Sequence, residues 1–202
     1  MFLSRLPRQA PEDQPPQAYI YKYVQSGEQT GGTGALTQSE SYGTIGITET
    51  WCDKSHDWRI AMDGYWLFHK DRQGIRGRGV ALYVKENPED IKVNYGNCRS
   101  CLWVKIRGVI SKGDLTVGIC YQPSHQDDKA NEAIFGSLKQ ALGQQNLVLM
   151  GDFNYTDVSL KSNTAAHMSS IKFPECIEDC FLIQMSDMPT RNEALLDLLL
   201  TN

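Results

Sequence analysis

The chain has 202 residues, a formal net charge of −4 at pH 7 and a sequence pI of about 5.6. This length fits one ordinary α/β domain with a tail and excludes two large domains. The acidic balance excludes binding to nucleic acid through overall charge, so a nucleic-acid partner would need a local basic surface. No segment has the pattern of a signal peptide or a membrane span. These features predict an intracellular protein, in the nucleus or the cytoplasm, that is not secreted.

The amino-terminal segment, residues 1–43, differs in composition from the rest. Half of the eight prolines fall between Pro7 and Pro16, and Gln, Gly, Ser and Thr dominate the second half of the segment. Such a sequence buries too little apolar surface to offset its conformational entropy. We therefore predict a disordered, low-complexity arm over residues 1–43 and a folded domain over residues 44–202.

Short apolar runs of strand length follow in the domain, separated by turn residues. The alternation from Leu102 to Arg107 favours strands that have one covered face and one exposed face. Together the runs predict two sheets that pack on each other. The predicted strands are Thr44 to Thr48, Tyr65 to His69, Val80 to Lys85, Leu102 to Arg107, Leu115 to Tyr121, Leu147 to Gly151, Phe181 to Met185 and Leu195 to Thr201.

Two helices are predicted between these strands. The first begins at Asp127 or Asp128, carries one apolar stripe and ends at Gly143. The second lies between Thr164 and Cys180, where Pro174 predicts a break or a kink because proline removes a helical hydrogen bond.

The six cysteines admit two interpretations. Cys98 and Cys101, with Cys176 and Cys180, could form a zinc site, but the pairs lie far apart in the sequence and lack a glycine-rich knuckle. Reduced thiols in or near the core are the favoured interpretation.

Acidic and amide side chains stand at three places beside apolar runs. Glu49 follows the first run of the domain, Asp152 and Asn154 follow Leu147 to Gly151, and Asp197 follows Leu195 and Leu196. A single carboxylate at such a place is more often a turn residue than a ligand. Three in one small domain favour a functional site, because α/β sheets build their sites at strand ends.

These residues occur in motifs that resemble the endonuclease/exonuclease/phosphatase family. The sequence from Ser55 to Val84 is similar to that of the endonuclease of LINE elements of the chicken-repeat type, which are non-LTR retrotransposons. The resemblance runs from about Glu40 to the last residue. It implies a four-layer α/β sandwich, in which two packed mixed sheets are flanked by helices, here incomplete. The motifs are Thr-Glu-Thr-Trp at Glu49, Tyr-Gln-Pro at Tyr121, Gly-Asp-Phe-Asn at Asp152 and Asn154, and Pro-Thr-Arg through Leu-Leu-Asp from Pro189, next to Thr190, to Asp197.

The resemblance implies phosphodiester hydrolysis with a divalent cation. Glu49 is then a ligand of Mg²⁺, with Mn²⁺ as a substitute, because hard cations take oxygen ligands. Asp152 orients or deprotonates the attacking water, or protonates the leaving group. Asn154, two residues further along an extended strand end, points to the same side as Asp152 and binds a phosphate oxygen.

Further roles follow from the same resemblance. Tyr121 offers its hydroxyl to the phosphate, with Thr190 as a helper, although an aromatic residue that caps the core is the plainer interpretation of Tyr121. In the family, the Asp at the position of Asp197 orients a catalytic histidine from a later Ser-Asp-His segment. No histidine follows Asp197, and no asparagine precedes Asn87, although the family has one at the end of its first strand. We therefore expect a domain without its first strand and without that segment, truncated at both ends, and weak or absent nicking.

The segment from Lys70 to Arg78 is the candidate for contact with DNA. Arg72, Arg76 and Arg78 stand among glycines between two predicted strands, where they could bind phosphates without sequence preference. A solvated hairpin tip is the alternative. The sequence departs from the family pattern in the Tyr-Gln-Pro motif, where Gln122 stands in place of an expected arginine.

The sequence thus predicts a monomeric, Mg²⁺-dependent DNA endonuclease, impaired in this chain, that nicks a target so that the reverse-transcriptase domain of the parent element can prime. Two alternatives stay open. One is a catalytically inactive remnant of a retroelement reading frame, and the other is a phosphatase on the same fold.

Overall fold

The computed structural model describes most of the chain. The described residues are 18–22, 43–50, 62–71, 79–85, 91–96, 98–110, 113–123, 128–144, 146–154, 168–185 and 197–202.

The first sheet has four described strands in the order β1-β2-β4-β3. β1 and β2 pair in parallel, whereas β4 pairs antiparallel with both β2 and β3. The strands are β1 Ala18–Lys22, β2 Thr44–Thr50, β3 Tyr65–Lys70 and β4 Gly79–Lys85.

Strand β1 corrects the prediction of an unstructured arm over residues 1–43. Ala18 pairs with Thr44 and Lys22 pairs with Thr48, so this strand forms part of the first sheet. The domain therefore has a strand ahead of β2, and the expectation that it lacks one is wrong for Ala18–Lys22. The physical reason is that β2 supplies a full row of main-chain partners, which compensates for the polar sequence around the strand.

The second sheet has six described strands in the order β5-β6-β7-β8-β10-β9. β7 and β8 are parallel, and the other neighbours are antiparallel. The strands are β5 Ile91–Val93, β6 Cys101–Ile110, β7 Gly113–Tyr121, β8 Leu147–Asp152, β9 Ile183–Gln184 and β10 Asp197–Thr201.

Two described helices accompany these sheets. α1, Asp128–Ala141, starts and ends where the sequence predicts, and Leu142 N–H closes its last turn by donating to Leu138 O. α2, Met168–Asp179, passes through Pro174 as one helix, so the predicted break is absent from it. Neither helix in the described part of the chain has the length and apolarity needed to cross a bilayer.

Three apolar clusters hold the layers together. One joins both helices to the outer face of the second sheet and includes Trp103, whose indole N–H donates to Ser137 Oγ at 2.8 Å. Another lies between the sheets, and the last covers the outer face of the first sheet. This arrangement confirms the predicted α/β class with two packed mixed sheets.

Burial of the central strands corrects one detail of the prediction. From Leu102 to Val104 strand β6 is buried on both faces, because the helices cover one face and the first sheet covers the other. Lys105 reaches the surface only partly, and its ammonium lies 3.7 Å from the Asp114 carboxylate. Alternate side chains from Leu102 to Val104 therefore face two different buried layers, one under the helices and one between the sheets, and neither face is exposed to solvent. Of the ten strands in the described part of the chain, β1 and β5 have no counterpart in the prediction, and β9 is shorter than predicted.

Candidate active site

Three of the predicted site residues lie in one row across the second sheet. Tyr121, the last residue of β7, pairs with Asp152, the last residue of β8. On the other side of β8, Asp197 also pairs with Asp152. Asp197 is the first residue of β10, which runs antiparallel to β8, so it reaches this edge through the amino end of its strand. The sequence analysis places Asp197 inside a predicted strand from Leu195 to Thr201, and the described part of that strand begins at Asp197.

Asp152 is fully buried in the middle of the row. Its Oδ1 accepts a hydrogen bond from the main-chain N–H of Asn154 at 3.2 Å, and its carbonyl oxygen accepts one from the N–H of Gln122 at 2.8 Å. The Asn154 side-chain amide donates to the Gln122 carbonyl at 2.8 Å. These bonds tie together the chain segments that leave β7 and β8, which limits the positions that the Asp152 carboxylate can adopt.

Asn154 does not continue strand β8, contrary to the expectation from the sequence. Its φ is 50°, in the left-handed region, where asparagine is tolerated better than most residues. The turn brings its N–H back to Asp152 rather than placing both side chains along an extended strand.

Tyr121 belongs to the core between the sheets and is 7% exposed. Its main-chain N–H donates to the Ser100 carbonyl at 3.0 Å. Tyr121 is therefore an aromatic residue at the edge of the core, which leaves its proposed contact with phosphate untested. The pairing of β7 with β8 also places it beside Asp152.

Glu49 lies at an irregularity of the first sheet. Thr48 pairs with Val80 and Thr50 pairs with Gly79, so Glu49 is the extra residue of a β-bulge. Bulges interrupt the alternation of side chains and are common next to active sites. The flanking hydroxyls, Thr48 Oγ1 and Thr50 Oγ1, are buried and have no hydrogen-bond partner within the described residues.

The first sheet contacts the second close to the row around Asp152. Gly46 of β2 packs against Met150 of β8 and Ile119 of β7, with so little space that an added Cβ would lie 2.9 Å from Ile119 Cδ1. Met150 and Ile119 each precede a residue of the row, Asp152 and Tyr121, by two positions.

Gln122 also belongs to this site, although the sequence did not identify it as a site residue. It is 4% exposed, and its Oε1 is buried without a hydrogen-bond partner in the described part of the structure. A buried polar atom without a partner is costly and is often found where a ligand or water binds. The one available signal was its departure from the arginine of the family pattern.

Several predicted residues are not described. Arg72, Arg76, Arg78 and Thr190 lie outside the described residues, as do the side chains of Glu49 and Asp197. Within the described residues, no group of three His, Cys, Asp or Glu side chains could hold a metal ion.

Lys70, which begins the predicted basic segment, has a role inside the protein. Its ammonium donates to the carbonyl of Cys98 at 2.7 Å and to that of Cys101 at 3.1 Å. This engagement corrects its assignment to a DNA-binding turn, because the charge is directed to the main chain of the second sheet.

The fold is that of a two-sheet α/β protein. At one edge of its second sheet, Tyr121, Asp152 and Asp197 form a row of polar residues. A family model described as "Endonuclease/Exonuclease/phosphatase family" matches residues 4–172. The chain belongs to this family, as its motifs indicate, and the match includes the segment around β1. A comparison with curated proteins finds no match.

Two solved structures show the likeness of fold. The endonuclease domain of TRAS1, a telomere-specific non-LTR retrotransposon, has a TM-score of 0.68 at 14% identity, over 93% of this chain and 84% of that one. An AP endonuclease from Archaeoglobus fulgidus has a TM-score of 0.52 at 16% identity, over 84% of this chain and 79% of that one.

Proposed function

We propose that this chain is a divalent-metal-dependent endonuclease that hydrolyses phosphodiester bonds of DNA. The observation that carries the proposal is the buried Asp152, which lies between Tyr121 and Asp197 in one row and is held by Asn154 and Gln122. A carboxylate kept in this position by main-chain hydrogen bonds is suited to orient a water molecule or accept its proton. Membership of the family supports hydrolysis as the reaction.

The residues present fit a hard cation. Mg²⁺ usually takes one or two carboxylates and keeps several water molecules, and Glu49 at the bulge would be its protein ligand, with Mn²⁺ as a substitute. The unpartnered oxygens of Thr48, Thr50 and Gln122 are acceptors that could bind water molecules around a bound ion or substrate. When bound, the cation would supply polarisation of the phosphate and stabilisation of negative charge.

The protein's own residues would then perform the following roles. Asp152 orients the attacking water and accepts a proton from it, while the Asn154 N–H fixes its Oδ1. The hydroxyls of Tyr121 and Thr190, with the Asn154 amide, bind phosphate oxygens without adding negative charge. Asp197, which pairs with Asp152, is the second acidic residue of the row.

The partner is the DNA backbone. Arg72, Arg76 and Arg78 would bind phosphates through charge-assisted hydrogen bonds. The motifs similar to those of LINE endonucleases support a role in target-site nicking. A reverse-transcriptase domain of the parent element would then prime on the new 3′ end. A monomer that acts in the nucleus, or in the cytoplasm before import, is consistent with that role.

A nicking assay tests the proposal. The chain, incubated with supercoiled plasmid and Mg²⁺, is expected to produce relaxed circles at a low rate, because nicking by this chain is expected to be weak, and a chelator is expected to stop the reaction. Asp152→Asn should lower the rate by about 10²- to 10⁴-fold, the usual contribution of an acid or base. Asp63→Asn is the matched control, because Asp63 is an exposed turn residue in the described part of the chain.

Each alternative has its own outcome. Release of phosphate from inositol phosphates without nicking would replace the proposal with the phosphatase function. A folded chain that does neither would support the inactive remnant. Nicking that Asp152→Asn leaves unchanged would contradict the assigned site.

A further inference from the structure

Three buried cysteines form a cluster where β6 begins and β7 ends. Cys98 and Cys101 stand at either side of a short turn, and Cys101 pairs with Cys120 across β6 and β7. All three are at most 3% exposed and none is in a disulfide. The proposed nuclease function uses none of them.

The sulfurs of Cys98 and Cys101 are unusually close. Cys98 Sγ donates a hydrogen bond to Cys101 Sγ over 2.9 Å. A disulfide bond is about 2.05 Å long, so these sulfurs need to approach by less than an ångström, on the order of 0.9 Å, to be joined. Another close pair, Cys176 in the last turn of α2 and Cys180 directly after that helix, has a wider separation of 3.9 Å.

Lys70 holds the turn that carries this pair. Its ammonium donates to the carbonyls of both Cys98 and Cys101, which fixes the two residues relative to each other. Burial raises the pKa of both Cys101 and Cys120, and the nearby Lys70 ammonium opposes this increase. A thiolate is the reactive form of cysteine.

We propose that Cys98 and Cys101 are an oxidisable dithiol, a modification site at which hydrogen peroxide produces an intrachain disulfide. Cys101 is the attacking thiol, because it accepts the hydrogen bond from Cys98 and lies near the Lys70 ammonium. Its thiolate attacks one peroxide oxygen, the O–O bond breaks, and Cys101 becomes a sulfenic acid with hydroxide as the leaving group.

Cys98 completes the reaction. Its sulfur attacks the Cys101 sulfur, the S–O bond breaks, and the departing hydroxide takes the Cys98 proton to form water. In total two thiols lose two electrons and two protons, and one peroxide becomes two water molecules. Burial raises the pKa of Cys101 well above that of an ordinary thiol, so the first step is slow at neutral pH.

The disulfide would lie next to the candidate active site. Ser100, between the two cysteines, accepts the hydrogen bond from the Tyr121 N–H. Oxidation therefore changes a turn that contacts the residue beside Asp152, whatever reaction that site performs.

Peptide mapping tests this proposal independently of nuclease activity. Trypsin cleaves after Arg99, so Cys98 and Cys101 fall in separate peptides, Val93–Arg99 and Ser100–Lys105, while Cys120 falls in Gly113–Lys129. The folded chain is treated with hydrogen peroxide, its remaining thiols are alkylated under denaturing conditions, and it is digested without reduction. We expect the first two peptides joined, with a loss of about 2 Da that corresponds to two hydrogens.

Other outcomes contradict the proposal. If Ser100–Lys105 is joined to Gly113–Lys129, then Cys120 rather than Cys98 is the partner. If Cys98 and Cys101 remain alkylated after Cys176 and Cys180 have been oxidised, then their proximity does not make a reactive pair. Lys70→Met, checked for folding by circular dichroism, is expected to slow the joining, whereas Lys172→Met, on α2, is expected to leave its rate unchanged.

Discussion

Asn154 shows how much one residue contributes to the candidate site. Its left-handed φ turns the chain after β8 so that its N–H contacts Asp152, and its side-chain amide reaches the Gln122 carbonyl. The Gly-Asp-Phe-Asn motif identifies the residue from sequence, but this conformation depends on partners from β7. A motif can therefore be recognised while its geometry is not.

Substitution of Asn154 separates its two contributions to stability. Asn154→Ala loses the hydrogen bond to Gln122 and also strains a left-handed backbone, whereas Asn154→Gly loses only the hydrogen bond. We expect the alanine variant to be less stable than the glycine variant by about 1 kcal/mol. Urea unfolding of both variants measures the difference, and equal free energies of unfolding would show that the strain is negligible.

At the scale of elements, β1 is the strand that the composition of residues 1–43 did not predict. Tyr19, Ile20 and Tyr21 have the β propensity of a strand, but they stand in a polar, proline-rich context, and the parallel pairing with β2 shows that they belong to the sheet. Local patterns suffice for β4, β7 and β8 because each of these strands contains a continuous or nearly continuous apolar run. In β1 the signal is limited to Tyr19, Ile20 and Tyr21, which is too short to distinguish a strand from an isolated apolar run.

Two truncations measure the contribution of β1. Removal of residues 1–17 retains the strand, whereas removal of residues 1–22 deletes it and leaves the β2 edge unpaired. The longer deletion is expected to lower the free energy of unfolding by roughly 2 to 5 kcal/mol relative to the shorter one, at about 0.5 to 1.5 kcal/mol for each hydrogen bond. Equal stability by chemical denaturation would show that β1 adds nothing to the domain.

At the scale of the whole molecule, the net charge of −4 opposes association with DNA. Binding would then depend on a local basic surface, and we propose Arg72, Arg76 and Arg78 for it. Lys70 cannot contribute equally, because its ammonium is directed to the Cys98 and Cys101 carbonyls.

The salt dependence of DNA affinity tests this surface. In a variant with Arg72→Gln, Arg76→Gln and Arg78→Gln, the slope of log K against log salt is expected to decrease in magnitude by about 2 to 3, since each phosphate contact contributes about 0.9. Fluorescence anisotropy with a labelled duplex, in chelator to prevent cleavage, gives the slopes. The control makes the same charge change on the helices, by substituting Gln for Lys129, Lys139 and Lys172. An equal effect of both triple variants would mean that overall charge, and not this segment, controls binding.

The sequence by itself determined the family, the helix α1 and most of the strands, because apolar runs and short motifs are local properties of the chain. Only the tertiary structure decided that β1 belongs to the first sheet, that Asp197 reaches Asp152 through the amino end of β10, and that Lys70 serves the turn of Cys98 and Cys101. Each of these facts depends on pairing between distant segments, and the contacts that stabilise such pairs leave no periodic pattern in either segment alone.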